Sequence, residues 1–214
     1  MGADCCSHDH QSDHIRDAAY RRVLIAVLVI NAAMFVVEIG AGVAAGSASL
    51  QADALDFFGD AAGYAISLFV IGKALRYRAS VALFKGASMG AFGLWILAVI
   101  AWHVWHGTLP NALTMGAIGI AALIANTASF ALLFAFRAGD ANMRSAWVCT
   151  RNDVLGNLAV LFAAAGVFGS GAGWPDMVVA AIMAALALHG AYIVIRHALA
   201  ELRSIRAPAP VPAE

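Results

Sequence analysis

Charge is scarce in this chain. Asp, Glu, Lys and Arg make up 12% of its 214 residues, where a soluble domain carries about a quarter. Hydrophobic residues make up 62%. That composition suits a protein solvated largely by lipid. The few charges also cancel: 13 basic and 13 acidic residues leave a formal net charge of zero. No long-range pull on nucleic acid follows from such a balance. Cysteine is equally sparse. Cys5 and Cys6 are adjacent in a polar stretch and Cys149 stands in an apolar one, which is no disulfide framework. No strong internal repeat is visible. No nucleophile–base pair with an orienting third group is found, so no enzymatic activity is expected.

What the chain does have is long apolar runs. A helix needs about 20 apolar residues to cross the hydrocarbon core. Six stretches qualify, at residues 22–45, 50–74, 82–105, 112–136, 146–169 and 175–198. The first follows Arg21 and Arg22 and ends in small residues, which imitates a signal peptide. It is too long for one and carries Asn31 and Glu38, so it reads as a retained helix. Only helices or closed barrels satisfy every backbone group in lipid, and segments this long exclude barrel strands of about ten residues. The expected fold is therefore an all-α membrane protein, a bundle of six transmembrane helices.

The basic residues set the orientation. Arg16, Arg21 and Arg22 precede the first helix. Lys73, Arg76, Arg78 and Lys85 flank the second connection, and Arg137, Arg144 and Arg151 the fourth. Arg196, Arg203 and Arg206 follow the last helix. The other three connections carry none. The positive-inside rule then places both termini in the cytoplasm of a multi-pass protein, as an even helix count requires. Residues 1–20 form a Cys/His-rich cytoplasmic tail in this reading, 21–200 the membrane domain, and 201–214 a short Pro-rich cytoplasmic tail that cannot bury a core.

Ionisable side chains at membrane depth mark a pathway or site by default, because inserting an Asp at a helix centre costs of order 2.5–3.5 kcal/mol. The second helix carries Asp53, Asp56 and Asp60, whose spacings of three and four put them on one face. The fifth carries Cys149 and Asp153, one turn apart. A pair from each helix supplies four ligands, the number a tetrahedral divalent ion takes. Thiolate with carboxylate suits zinc or a similar borderline metal better than magnesium or calcium.

Each of these residues also has a plainer reading. Asp53 lies close to the first turn and can equally face water there. A lone cysteine in an apolar helix is often a packing residue. Glu38 could support the site, carry protons or pair with Arg151. Asn126 suits an interhelical hydrogen bond better than ligation. His103 and His106 belong with Trp102 and Trp105 in an interfacial belt, and His189 reads as a hydrogen-bonded packing residue. Gly59-x-x-x-Gly63 and Gly86-x-x-x-Gly90 permit close helix contact. Cys5, Cys6, His8, His10 and His14 are metal-philic in composition, but their spacing matches no folded zinc module; they suit a flexible tail that sequesters or delivers metal, or one that is merely solvated.

The chain resembles the cation diffusion facilitator family over residues 15–203. That family's second helix reads approximately Ala-Asp-x-x-(His or Asp)-x-x-x-Asp, and here it is Ala52-Asp53-Ala54-Leu55-Asp56-Phe57-Phe58-Gly59-Asp60. The fifth reads approximately His-x-x-x-Asp-x-x-Gly or Asp-x-x-x-Asp, and here it is Cys149-Thr150-Arg151-Asn152-Asp153-Val154-Leu155-Gly156-Asn157. Asn126 and Asp176 resemble an Asn of the fourth helix and an Asp at the start of the sixth.

The resemblance implies export of a divalent metal from the cytoplasm in exchange for protons, usually by a homodimer, in a bacterial-type inner (plasma) membrane. It maps the metal site to Asp56, Asp60, Cys149 and Asp153, with Asp53 and Glu38 secondary. No permanent cofactor is implied. The cargo expected is Zn²⁺, with Cd²⁺, Co²⁺ or Fe²⁺ in the same ligand range, and the partners are the lipid bilayer, the cation and protons. Two departures stand out. Cys149 replaces the usual His or Asp, and the residues after the sixth helix are too few for the family's cytoplasmic C-terminal domain, so a short form is expected. The alternative carried beside transport is a membrane metal-binding or accessory protein that moves no ion.

Overall fold

A computed structural model describes residues 7–69, 75–137 and 141–206, with side chains over 18–68, 76–77, 79–137, 150 and 153–203. The described residues form six α-helices: α1 (Ser7–Ala45), α2 (Ala48–Phe69), α3 (Leu75–His106), α4 (Ala112–Phe134), α5 (Ala141–Ser170) and α6 (Trp174–Arg206). Each of the six expected segments holds a helix, the second described as far as Phe69 and the fourth helical as far as Phe134. Several run past their apolar cores: α1 starts at Ser7, α5 at Ala141, and α6 continues to Arg206. Helical hydrogen bonding stays favourable in polar surroundings, so apolar length underestimates helix length there.

Five of the helices are long and apolar enough to cross a membrane. The exception is α2, whose 22 residues include Asp53, Asp56 and Asp60. At 1.5 Å per residue it is about 33 Å long, enough to span the hydrocarbon core. Its polarity is tolerable because of where it sits. It touches each of the other five helices, and residues 47–55 are all buried. Asp53 is enclosed by protein, and Asp56 and Asp60 are partly buried in the bundle, as the cost of exposing carboxylates to hydrocarbon demands.

Around α2 the closest pairings are α1 with α2, α4 with α5, and α3 with α6. The α3–α6 contact is built on small residues. A Cβ added to Gly86 would lie 2.9 Å from Ile195 Cγ1 and 3.3 Å from the Ile195 backbone nitrogen. The Gly86–Gly90 pattern thus does permit close contact, with Gly90 facing Ala191. Gly59 meets the end of Met89 on α3 at an ordinary 3.6 Å, so the contact there is looser than at Gly86. Phe35, Phe58 and Phe92 meet where α1, α2 and α3 converge, with ring centroids 5.3–6.1 Å apart.

The three connections without Lys or Arg gather at one end, called here the loop end. Each turns on a glycine in the left-handed region: Gly46 at φ 63°, Gly107 at 63° and Gly171 at 62°, where a Cβ would be strained. At Gly46 the Ser47 amide reaches back to the Gly42 carbonyl at 2.9 Å and the Gly46 amide to Val43 at 3.2 Å, the double closure of a Schellman motif. The loops also hold one another. The Asn111 amide donates to the Ala45 carbonyl at 2.9 Å, and a Cβ on Gly173 would fall 2.5 Å from the Thr108 carbonyl oxygen.

An apolar cluster that includes Leu50, Ile96, Met115, Val160 and Val167 fills the bundle toward this end. A second, of Tyr20, Leu24, Val27, Tyr64, Leu133 and Phe136, closes the opposite, basic end. The polar residues of α2 below Ser49 lie largely between the two.

Candidate metal centre

The site begins with how α2 is anchored. Ser47 is its N-cap: the Ser47 Oγ accepts from the Leu50 amide at 3.1 Å. Asp176, at the start of α6 and fully buried, satisfies what remains. Its Oδ2 accepts from the Ala48 amide at 2.8 Å. Its Oδ1 accepts from the Ser49 amide at 3.0 Å, from Ser49 Oγ at 2.6 Å and from Ser47 Oγ at 2.7 Å. A carboxylate at a helix N-terminus is favourably placed against the helix dipole. With both oxygens engaged by four donors, Asp176 is a structural anchor.

From that anchor α2 and α5 run antiparallel in contact, and their polar side chains pair in rungs. The first rung is Asp53 with Asn157: Asn157 Nδ2 donates to Asp53 Oδ2 at 2.7 Å. Asn157 Oδ1 accepts from Asn126 Nδ2 of α4 at 2.9 Å. Asp53 is therefore buried and paired, and does not face water. The turn-proximal reading is corrected because Asp176 and the loop contacts bury the whole first turn of α2. The expected interhelical role of Asn126 is borne out. Glu38 of α1 is fully buried and sits against Asp53, carboxyl to carboxyl.

The next rungs hold the acids of the expected site. The Asp60 and Asp153 carboxyl groups lie side by side across the α2–α5 contact, and Asp56 is within electrostatic range of both. Asp153 Oδ2 has no hydrogen-bond partner. Gly156 faces Asp56, and a Cβ there would lie 3.9 Å from Asp56 Oδ2. Lys85 of α3 comes within range of Asp60, its ammonium seated in the notch at Gly63, where a Cβ would stand 3.0 Å from Nζ. The last rung is Tyr64, whose hydroxyl donates to Asp60 Oδ2 at 2.9 Å and lies 2.7 Å from Thr150 Oγ1 of α5.

Asp56, Asp60 and Asp153 are thus brought together as neighbours. Among the described residues, no three His, Cys, Asp or Glu side chains converge closely enough to hold an ion. Cys149 lies on α5 one turn before Asp153, and its thiol is outside the described residues, as is the Arg151 side chain. Cys5 and Cys6 fall outside the described residues altogether. His8, His10 and His14 belong to α1, but their side chains are not described.

Two histidine readings change. His189 is exposed on α6 rather than packed. His103 is buried while Trp102 and Trp105 are exposed, so it stands apart from the tryptophans and from His106, which stacks on Trp102 at 3.8 Å. Sequence reasoning missed Tyr64, Thr150, Lys85 and the pairing role of Asn157. Tyr64 had one available signal, its i+4 position from Asp60 on the polar face.

A family model described as "Cation efflux transmembrane domain" matches residues 24–203. Over 209 residues the chain is 25% identical to the zinc transporter ZitB of Escherichia coli, covering 92% of this chain and 67% of that protein. Over 206 residues it is 26% identical to the zinc transporter ZitB of Pectobacterium atrosepticum, covering 90% and 64%. The chain therefore spans about two thirds of the length of these relatives.

Proposed function

Because the chain belongs to the cation efflux family, we propose that it exports a divalent cation, Zn²⁺ first among candidates, in exchange for protons, through Asp56, Asp60, Cys149 and Asp153. The observation that carries this reading is the pairing of Asp60 with Asp153 across the α2–α5 contact, with Asp56 beside both. Carboxyl groups crowded in a partly buried interface favour protons or a cation among them. The site therefore has the chemistry of an exchanger. Metal must displace protons from its ligands to bind, and protons returning to the ligands release it.

Zinc is preferred on two grounds. The characterised relatives are zinc transporters, and a thiolate from Cys149 with three carboxylates is a donor set for a borderline metal. The protein works in this reading as a homodimer of a bacterial inner membrane, with both termini in the cytoplasm. Asp53 and Glu38 lie outside the ligand set, Asp53 because Asn157 already holds it. The tail residues Cys5, Cys6, His8, His10 and His14 have no part in the exchange step.

The test is metal uptake into reconstituted vesicles across an imposed pH gradient. Wild type moves Zn²⁺ with counterflow of protons, while Asp60→Ala and Asp153→Ala abolish both. Transport at wild-type rates in either variant would refute the site. Tight binding with no flux in the wild type would instead establish the non-transporting alternative.

A further inference from the structure

Tyr64 lies one turn beyond Asp60 on α2, toward the basic end, and is 4% exposed. It has two distinct environments. Its ring belongs to the apolar cluster with Leu24 and Val27 of α1 and Leu133 of α4. Its hydroxyl instead points into the α2–α5 contact, donating to Asp60 Oδ2 at 2.9 Å. On the other side it meets Thr150 Oγ1 at 2.7 Å. Thr150 is fully buried. A phenol has one hydrogen. When that hydrogen goes to Asp60, the second bond must use the hydrogen of Thr150, so the polarity runs from Thr150 through Tyr64 to Asp60.

This arrangement exceeds what packing requires. A phenylalanine would fill the same apolar space, and the hydroxyl is costly to bury unless it is bonded. One of its bonds goes to Asp60 of the site and the other to Thr150, the chain neighbour of Cys149. A carboxylate that accepts a hydrogen bond on one oxygen is held in one rotamer and offers its other oxygen more freely. Partners of this kind orient metal ligands, and their loss typically costs about 10- to 100-fold in metal affinity.

We propose that Tyr64, braced by Thr150, is a positioning residue for Asp60: its hydroxyl occupies Oδ2 and presents Oδ1 to the incoming divalent cation, favouring single-oxygen coordination. The inference rests on the assignment of Asp60 to the metal site. Thr150 is the neighbour of Cys149 in the chain, so the same brace fixes the α5 backbone beside the thiol-bearing residue.

The experiment uses the full chain in detergent, with Zn²⁺ binding measured by competition and Co²⁺ as a spectroscopic probe of coordination. Tyr64→Phe keeps the ring. It is expected to weaken Zn²⁺ binding by about 10- to 100-fold and to shift the Co²⁺ visible bands, with the thermal midpoint held close to wild type. Thr150→Val should change both readouts in the same direction by a smaller factor, and Thr150→Ser should restore them.

Wild-type affinity and Co²⁺ spectrum in Tyr64→Phe, while Asp60→Ala has lost binding, would overturn this inference alone. Wild-type binding in Asp60→Ala would remove the site assignment and this inference with it. Affinity that falls only in step with thermal stability across all the variants would make Tyr64 a packing residue and likewise overturn the proposal.

Discussion

Asp176 offers a sharp test of how the bundle is assembled, because Asn and Ala replace its carboxylate in different ways. The carboxylate accepts from two backbone amides and two hydroxyls at the start of α2. In Asp176→Asn the amide oxygen can take the place of Oδ1 and keep three of those bonds. The new amide nitrogen then faces the Ala48 N–H, donor against donor. One buried amide left unpaired costs about 1–3 kcal/mol, so a loss of about 2 kcal/mol is expected.

Asp176→Ala removes both acceptor oxygens and strands all four donors. The Ser47 and Ser49 hydroxyls, 3.4 Å apart, can turn toward each other, but the Ala48 and Ser49 amides lose their only side-chain acceptor. A loss of about 4 kcal/mol follows on the same scale. For a chain of this size each kcal/mol shifts the midpoint by roughly 2–4 °C. The Asn variant should therefore melt about 4–8 °C and the Ala variant about 8–16 °C below wild type, compared in one detergent at one scan rate. An Asn variant within about 1 °C of wild type, or an Ala variant no worse than Asn, would refute the anchor.

Two further outcomes follow from the packing. Asn157→Leu leaves Asp53 Oδ2 and Asn126 Nδ2 without partners, and should cost about 3 kcal/mol. Asn126→Leu added to it should cost clearly less than the sum of the single changes, by at least about 0.5 kcal/mol; strict additivity in thermal melts would dissolve the relay. Gly86→Ala should destabilise the α3–α6 contact by about 1–3 kcal/mol, because its Cβ would press on Ile195, backbone included. Gly116→Ala on α4, with open space around it, is the control and should melt at or slightly above the wild-type midpoint.

Much of this was legible from residue order because lipid is a demanding solvent. Long apolar runs, basic connections and three acids on one helical face each follow from the cost of placing backbone or charge in hydrocarbon. The six helices and the acids that α2 turns toward the bundle were expected on that ground. Asp53 was open to misreading because nearness to a turn in sequence resembles nearness to water, whereas Asp176, 123 positions further along, buries that turn. His189 misled in the opposite sense: an apolar neighbourhood in sequence does not say which side of the helix meets protein.

Residue order alone, then, determined how many helices this chain makes, which end of each carries charge, and which helices bear acids. Those properties are set by each segment's own exchange with lipid and water. Tertiary structure alone decided what each acid does. Asp176 anchors α2, Asp53 is held by Asn157, and Asp60 meets both Asp153 and the Tyr64 hydroxyl. A buried carboxylate takes its role from the donors and charges within a few ångströms of it, and here those come from other helices whose rotation and register no local pattern encodes.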